Sequence, residues 1–182
     1  AYITYGDVSN GPATWDWSGL DKRLDQIAAR GHQAVLRFHD TYVGKTSGAP
    51  KWLKAKKEYR ETKGKSEGKT TWFPDWSSEE CQQTVMETVR EFVRRYDRDS
   101  RVAFLQVGFG LWAEYHIYDG PMELGKTFPT KAYQAAFLRM LDQECHDLPW
   151  MFSIDAADTE STPIVESDEL KALSFGLFDD SF

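Results

Sequence analysis

Short apolar runs bounded by polar residues constrain this chain more than any other feature. Residues 33–39 (QAVLRFH) and 101–109 (RVAFLQVGF) read as strands buried on both faces, and 150–155 (WMFSID) and 173–178 (LSFGLF) as two further strands. Residues 2–8 (YITYGDV) are rich in aromatic and β-branched residues and predict a further strand. Between the runs lie amphipathic stretches. Leu20, Leu24, Ile27 and Ala28 recur at helical spacing, with Asp16 or Ser18 placed to cap the start and Gly31 the end. Val85, Met86, Val89, Phe92, Val93 and Tyr96 mark a second helix, entered through Ser77 and Glu80 as a capping box. Tyr133, Phe137, Met140 and Leu141 mark a third over 130–146, and a short helix is expected near 166–172. Strands alternating with helices predict a parallel sheet with right-handed crossovers.

The length sharpens this. A closed (β/α)8 barrel takes about 250 residues, and this chain has 182. Five parallel strands make either an arc of such a barrel or a doubly wound open sheet. We read α/β, a partial (β/α)8 TIM barrel of about five parallel strands with outer helices. It forms one domain over 1–182 with a basic insertion at about 44–71. Residues 45–69 hold nine Lys/Arg and three Glu, about +6, which leaves about −13 on the rest of a chain of net charge −7. That acidic balance argues against a nucleic-acid partner. No apolar run is long enough to span a membrane, and AYITYGDVSNG lacks the features of a signal peptide. Cys81 and Cys145 lack metal or redox spacing and read as free thiols, with a disulfide as the alternative.

In parallel α/β architectures, ligands bind at the C-terminal ends of the strands. Those ends carry Asp7; Arg37, His39 and Asp40; Trp112, Glu114, Tyr115 and His116; Asp155 and Asp158; Asp179 and Asp180. Aromatic residues crowd the same loops, among them Tyr42, Trp72, Trp112 and Tyr118. Aromatic faces stack on pyranose rings while acids and imidazoles bind hydroxyls, so the combination suits a sugar. A glycosidase needs one carboxylic acid to protonate the leaving oxygen and a second carboxylate as nucleophile or base. Glu114 is the expected general acid/base, with Asp155 and Asp180 as catalytic partners. Arg37, His39, Trp112, Tyr115, His116, Tyr118 and Asp179 are expected to bind substrate. The plainer reading of Glu114 is an ion pair with Arg37 or Lys126. The basic insertion would hang on the rim of this site and favour an anionic polysaccharide.

The stretch GPATWDWSGLDKRLDQIAARGHQAVLRF resembles the early βα units of clan-A glycoside hydrolases. LQVGFGLWAEYH and FGLFDDSF resemble segments of the glycosidase-like DUF4832-type barrel proteins. The resemblance implies that Glu114 ends strand four as acid/base. Residues 2–8 then become strand two, strand one precedes Ala1, and strands seven and eight follow Phe182. The chain departs from clan A in carrying Ala113 where Asn is usual, and the clan's strand-seven nucleophile has no counterpart here. The resemblance also implies secretion or a periplasmic location. A fragment of this kind would expose strand edges and apolar faces and self-associate.

Other chemistries find no support. There is no GxxxxGK[ST], HExxH or GxSxG motif, and Gly108 with Gly110 forms only part of a dinucleotide fingerprint. Glu114, His116 and Asp119 match no standard metal set, so no cofactor or metal is expected. The expected function is therefore hydrolysis of a polysaccharide or oligosaccharide. The alternatives are a non-catalytic carbohydrate-binding barrel and a doubly wound α/β binding domain.

Overall fold

The computed structural model describes residues 1–157 and 160–180. Five strands form one all-parallel sheet: β1 (Tyr2–Thr4), β4 (Ala34–His39), β7 (Val102–Gln106), β8 (Trp150–Ser153) and β9 (Gly176–Phe178), in the order β1-β4-β7-β8-β9. Each new strand joins the same edge. A doubly wound sheet turns back at a switch point; among the described residues this α/β sheet winds in one direction only.

The longer helices are α2 (Ser18–Ala28), α4 (Glu79–Tyr96) and α5 (Lys131–Glu144). With right-handed crossovers and one winding direction they fall on one face of the sheet. The core lies there: Ile3, Leu36, Phe38, Leu105 and Phe152 pack in one cluster with Leu20, Leu24, Val89, Phe92, Phe137 and Leu141. The opposite face is open. Tyr2, Val35 and Phe104 remain 46%, 38% and 40% exposed. An apolar groove also lies open beside β8 and β9, lined by Phe152, Ile154, Val165, Phe175 and Leu177.

Two expectations need correction. Residues 2–8 are not one strand. β1 stops at Thr4, which caps a one-turn helix, α1 (Tyr5–Val8): Thr4 Oγ1 accepts from the Asp7 amide, and Asp7 Oδ2 accepts from the Thr4 amide. Asp7 is therefore a cap and is not free at a strand end. A short hairpin follows, β2 (Ser9–Gly11) with β3 (Thr14–Trp15). The cap of α4 is Ser78, whose hydroxyl accepts from the Cys81 amide, one residue later than the capping box predicted. The basic insertion is ordered: α3 (Lys51–Lys54) leads into an antiparallel hairpin, β5 (Thr62–Ser66) and β6 (Lys69–Phe73). Its turn, Glu67-Gly68, has positive φ at both residues (51° and 70°), the type I′ geometry that suits a two-residue hairpin.

The remaining helix, α6 (Asp168–Lys171), is a single turn capped by Ser167. Cys81 and Cys145 are free thiols, the first fully buried. Among the described residues no helix is long and apolar enough to cross a membrane.

Candidate functional site

Parallel pairing aligns a row of side chains across the open face: Tyr2, Arg37, Gln106, Met151 and Gly176. Arg37 is the centre of this row and is only 4% exposed. A buried guanidinium needs every donor engaged. Arg37 Nε donates to Gln106 Oε1 (2.9 Å), and Nη1 donates to Glu114 Oε1 (3.1 Å) and Tyr2 Oη (3.3 Å). Nη2 lies 2.6 Å from Asp180 Oδ2. The guanidinium also sits 4.3 Å from the Phe178 ring centroid and 5.2 Å from that of Tyr2. β9 is three strands from β4, about 14 Å across a flat sheet at about 4.8 Å per strand. Contact of Arg37 with both Phe178 and Asp180 shows that the sheet curls inward at its C-terminal end.

The loop after β7 delivers Glu114 and is tightly folded. Trp112, Ala113 and Tyr115 all have positive φ (54°, 63° and 62°). Left-handed backbone at non-glycine residues costs about 1–3 kcal/mol each and collects at functional sites. Backbone bonds hold the conformation: Leu111 N–H to the His116 carbonyl, Tyr115 N–H to Phe109 and Trp112 N–H to Thr41. Gly108 and Gly110 are required because a Cβ at either would collide with the carbonyls of Ala113 and His116.

Glu114 is half-buried, its side chain 15% exposed. Burial raises its carboxyl to about 7, and a hydrogen bond with Asp180 and the Asp180 charge push the same way against the opposing Arg37. On its other side, His116 Nε2 is 3.7 Å from Glu114 Oε2, and Nδ1 is 3.6 Å from Asp155 Oδ2. Burial lowers the His116 pKa, with Asp155 opposing. His116 Nε2 is buried without a hydrogen-bond partner among the described residues. Asp155 is fixed by the Ser153 hydroxyl, which donates to Oδ2 at 2.7 Å.

Aromatic rings rim the site. Trp112 stacks on Tyr118 (5.8 Å, 24°) and meets the edge of Tyr42 at 6.1 Å. His39 lies edge-on between Tyr2 and Tyr42. Burial takes its pKa down to about 4, so it is neutral at physiological pH.

The structure therefore brings together Arg37, Glu114, His116, Asp155 and Asp180, with His39, Trp112 and Tyr118 around them. It does not place Tyr115 with them. That side chain is fully buried against Phe109, Phe128 and Phe152, because the left-handed turn rotates it into the core. It braces the loop and does not line the cleft. Asp179 is exposed one residue from Asp180. Lys126 pairs with Glu123, so it is not the Glu114 partner. Asp158 lies outside the described residues. Asp40 is fully buried, accepts from Trp76 Nε1 (3.2 Å) and is raised by burial to about 7. It braces the strand end from below.

Sequence reasoning missed Gln106, Phe178 and Ser153. The signal for Gln106 was a lone polar residue in an apolar strand, in register with Arg37. Among the described residues no group of three or more His, Cys, Asp or Glu side chains is arranged to hold a metal. Compared with known families and curated proteins, the chain matches no family model and no curated sequence.

Proposed function

We propose that this chain is a carbohydrate-active hydrolase in which Glu114 is the general acid. The observation that carries the proposal is a carboxyl raised to about 7 at the mouth of an aromatic-rimmed cleft. A general acid works best when its pKa is near the working pH. The resemblance of LQVGFGLWAEYH to glycosidase-like barrels points the same way.

In this reading a sugar stacks on Trp112 and Tyr118 and displaces the Asp180 contact from Glu114. The Glu114 O–H protonates the glycosidic oxygen as the anomeric C–O bond breaks. Asp180 and Arg37 are positioning groups: both touch Glu114, which leaves no space for a water between them. Asp155 lies beyond the His116 ring and takes the proton of the attacking water. Water adds OH to the anomeric carbon, and the two carboxyls regain their starting states through solvent. Separated carboxylates of this kind belong to inverting enzymes, where about 6.5–9.5 Å leaves room for water.

The test is a panel of oligosaccharides incubated with wild type, E114Q and D155N, with products read by chromatography. The proposal expects products from wild type and a loss of about 10²–10⁴-fold in E114Q. Products at equal rates from wild type and E114Q would overturn it. One observation favours a second reading, a non-catalytic glycan-binding protein: Glu114 already hydrogen-bonds Asp180. That reading expects binding without product from any variant.

A further inference from the structure

Among the described residues, ten of the thirteen lysines and arginines outside residues 45–69 are in ion pairs, the exceptions being Lys22, Arg23 and Arg30. Inside that window only Lys54 and Lys56 pair, and the other seven have no carboxylate among the described residues. In a chain of net charge −7, acids are abundant, so this concentration of unpaired cations needs an explanation.

Their placement supplies one. The β5–β6 hairpin lies between the loop after β4 and the loop after β7. On one side the Gly44 amide donates to Thr71 Oγ1 (3.0 Å) and the Trp72 amide to the Lys45 carbonyl (3.1 Å). On the other, Gly64 packs on Pro121, and Tyr118 Oη donates to Glu67 at the turn. Register then sorts the hairpin faces. Ser66, Thr71 and Phe73 are buried beneath, while Lys63 with Trp72 and Lys65 with Thr70 form cross-strand pairs on the other face. Lys63 Nζ is 5.7 Å from the Trp72 centroid, and Lys45 Nζ is 4.2 Å from that of Tyr42. Tyr42 in turn meets Trp112 beside Glu114. Aromatic rings with unpaired ammonium groups thus run from the hairpin to the cleft. Cation–π contacts at exposed sites are weak, about 0.5–1 kcal/mol, so the ammonium groups are free to turn to a stronger anionic partner.

We propose that Lys63, Lys65, Trp72, Lys45 and Tyr42 form an extended subsite for an acidic polysaccharide leading to Glu114. Sugar rings pack on Trp72 and Tyr42, and their carboxylate or sulfate groups meet the lysines. The acids Glu67 and Asp119 at the hairpin turn mark the edge of the track. This rests on the hydrolase reading for what happens at Glu114, but the binding claim is tested separately.

The experiment is calorimetric titration of the whole chain with three hexasaccharides: an oligogalacturonide, a heparin-derived fragment and a neutral cello-oligosaccharide. Either acidic probe is expected to bind at least tenfold more tightly than the neutral one. The two acidic arms decide between carboxylate and sulfate. The K45A/K63A/K65A variant should lose that advantage while retaining neutral-sugar affinity, and W72A should weaken every probe. The three lysines are exposed and Trp72 is half-buried outside the core cluster, and circular dichroism checks the fold. Equal affinity for acidic and neutral probes, or wild-type affinity in the triple variant, would overturn the proposal. So would equally tight binding of a single-stranded DNA 12-mer, which would make the surface a general polyanion patch. Retained acidic-sugar binding by wild type and E114Q, with hydrolysis by neither, would sink the hydrolase reading and leave the track standing.

Discussion

Two arginine-centred clusters sit at opposite ends of the same parallel sheet. At the N-terminal end, Arg101 contacts Asp99, Asp21 and Asp25 at 2.6–3.1 Å, and Arg95 joins through Asp21. At the C-terminal end, Arg37 contacts Glu114 and Asp180, with His116 and Asp155 beyond. The parts are alike and the electrostatics are opposite. Hydrogen bonds from Arg101 lower Asp99. Burial would raise Asp21, but bonds from Arg95 and Tyr96 outweigh it. Glu114 goes up to about 7 instead, because it is desolvated and shares its cation with a second carboxyl. Acids that stay hydrated and accept directly from guanidinium and hydroxyl donors remain ionised and make a structural clamp. A carboxyl that is desolvated beside a second carboxyl keeps a proton available for chemistry.

The largest test of that contrast is catalytic. E114Q is expected to reduce hydrolysis by about 10²–10⁴-fold, whereas D99N leaves the rate per folded molecule unchanged. An equal loss in both would erase the distinction between the ends.

Stability comes next. R37Q strands two half-buried acids and is expected to destabilise the chain by about 3–5 kcal/mol. R101Q breaks a more exposed network and should cost about 1 kcal/mol. Chemical denaturation of both variants measures the difference, and equal losses would contradict it.

The smallest effect is in pH dependence, where the two ends have opposite signs. Glu114 and Asp40 hold protons up to about 7 when folded, against ordinary values of 4.5 and 3.8. The folded state therefore binds more protons than the unfolded one in that window, and stability falls as pH rises through it. Asp21, Asp97 and Asp99 are lowered, so their contribution is present above pH 3.8 and is lost as pH falls below it. Thermal melts from pH 3 to 8 should show both limbs, with E114Q reducing only the upper one to the part that Asp40 contributes. Each kcal/mol corresponds to about 2–4 °C at this size. A fourth expectation concerns the open face of Tyr2, Val35 and Phe104. Sedimentation should show concentration-dependent self-association, and a strict monomer at all concentrations would contradict it.

Much of this was legible in the residues. β4 and β7 were plain because an apolar run closed by Arg37 or leading to Glu114 has few other readings. The helices followed from Leu20/Leu24 and from the Val85–Tyr96 stripe. The basic hairpin was hidden because lysines recur at its exposed positions and two of its three buried ones are Ser66 and Thr71, leaving Phe73 without an apolar alternation to mark it. α1 was hidden because Tyr5 and Val8 suit a strand equally well, and only the Thr4–Asp7 cap decides against it. In the site, Arg37, His39, Glu114 and His116 were readable as polar residues at strand ends. The inward turn of Tyr115 was not, because it follows from left-handed backbone that side-chain identity does not announce.

The central claim is that Glu114 keeps its proton near neutral pH, and carbon-13 NMR of labelled glutamate side chains tests it without a substrate. The account predicts one glutamate carboxyl titrating near 7 in wild type and absent from E114Q, the others titrating in the ordinary range. A spectrum in which every glutamate titrates near 4–5, unchanged by E114Q apart from one lost signal, would contradict it.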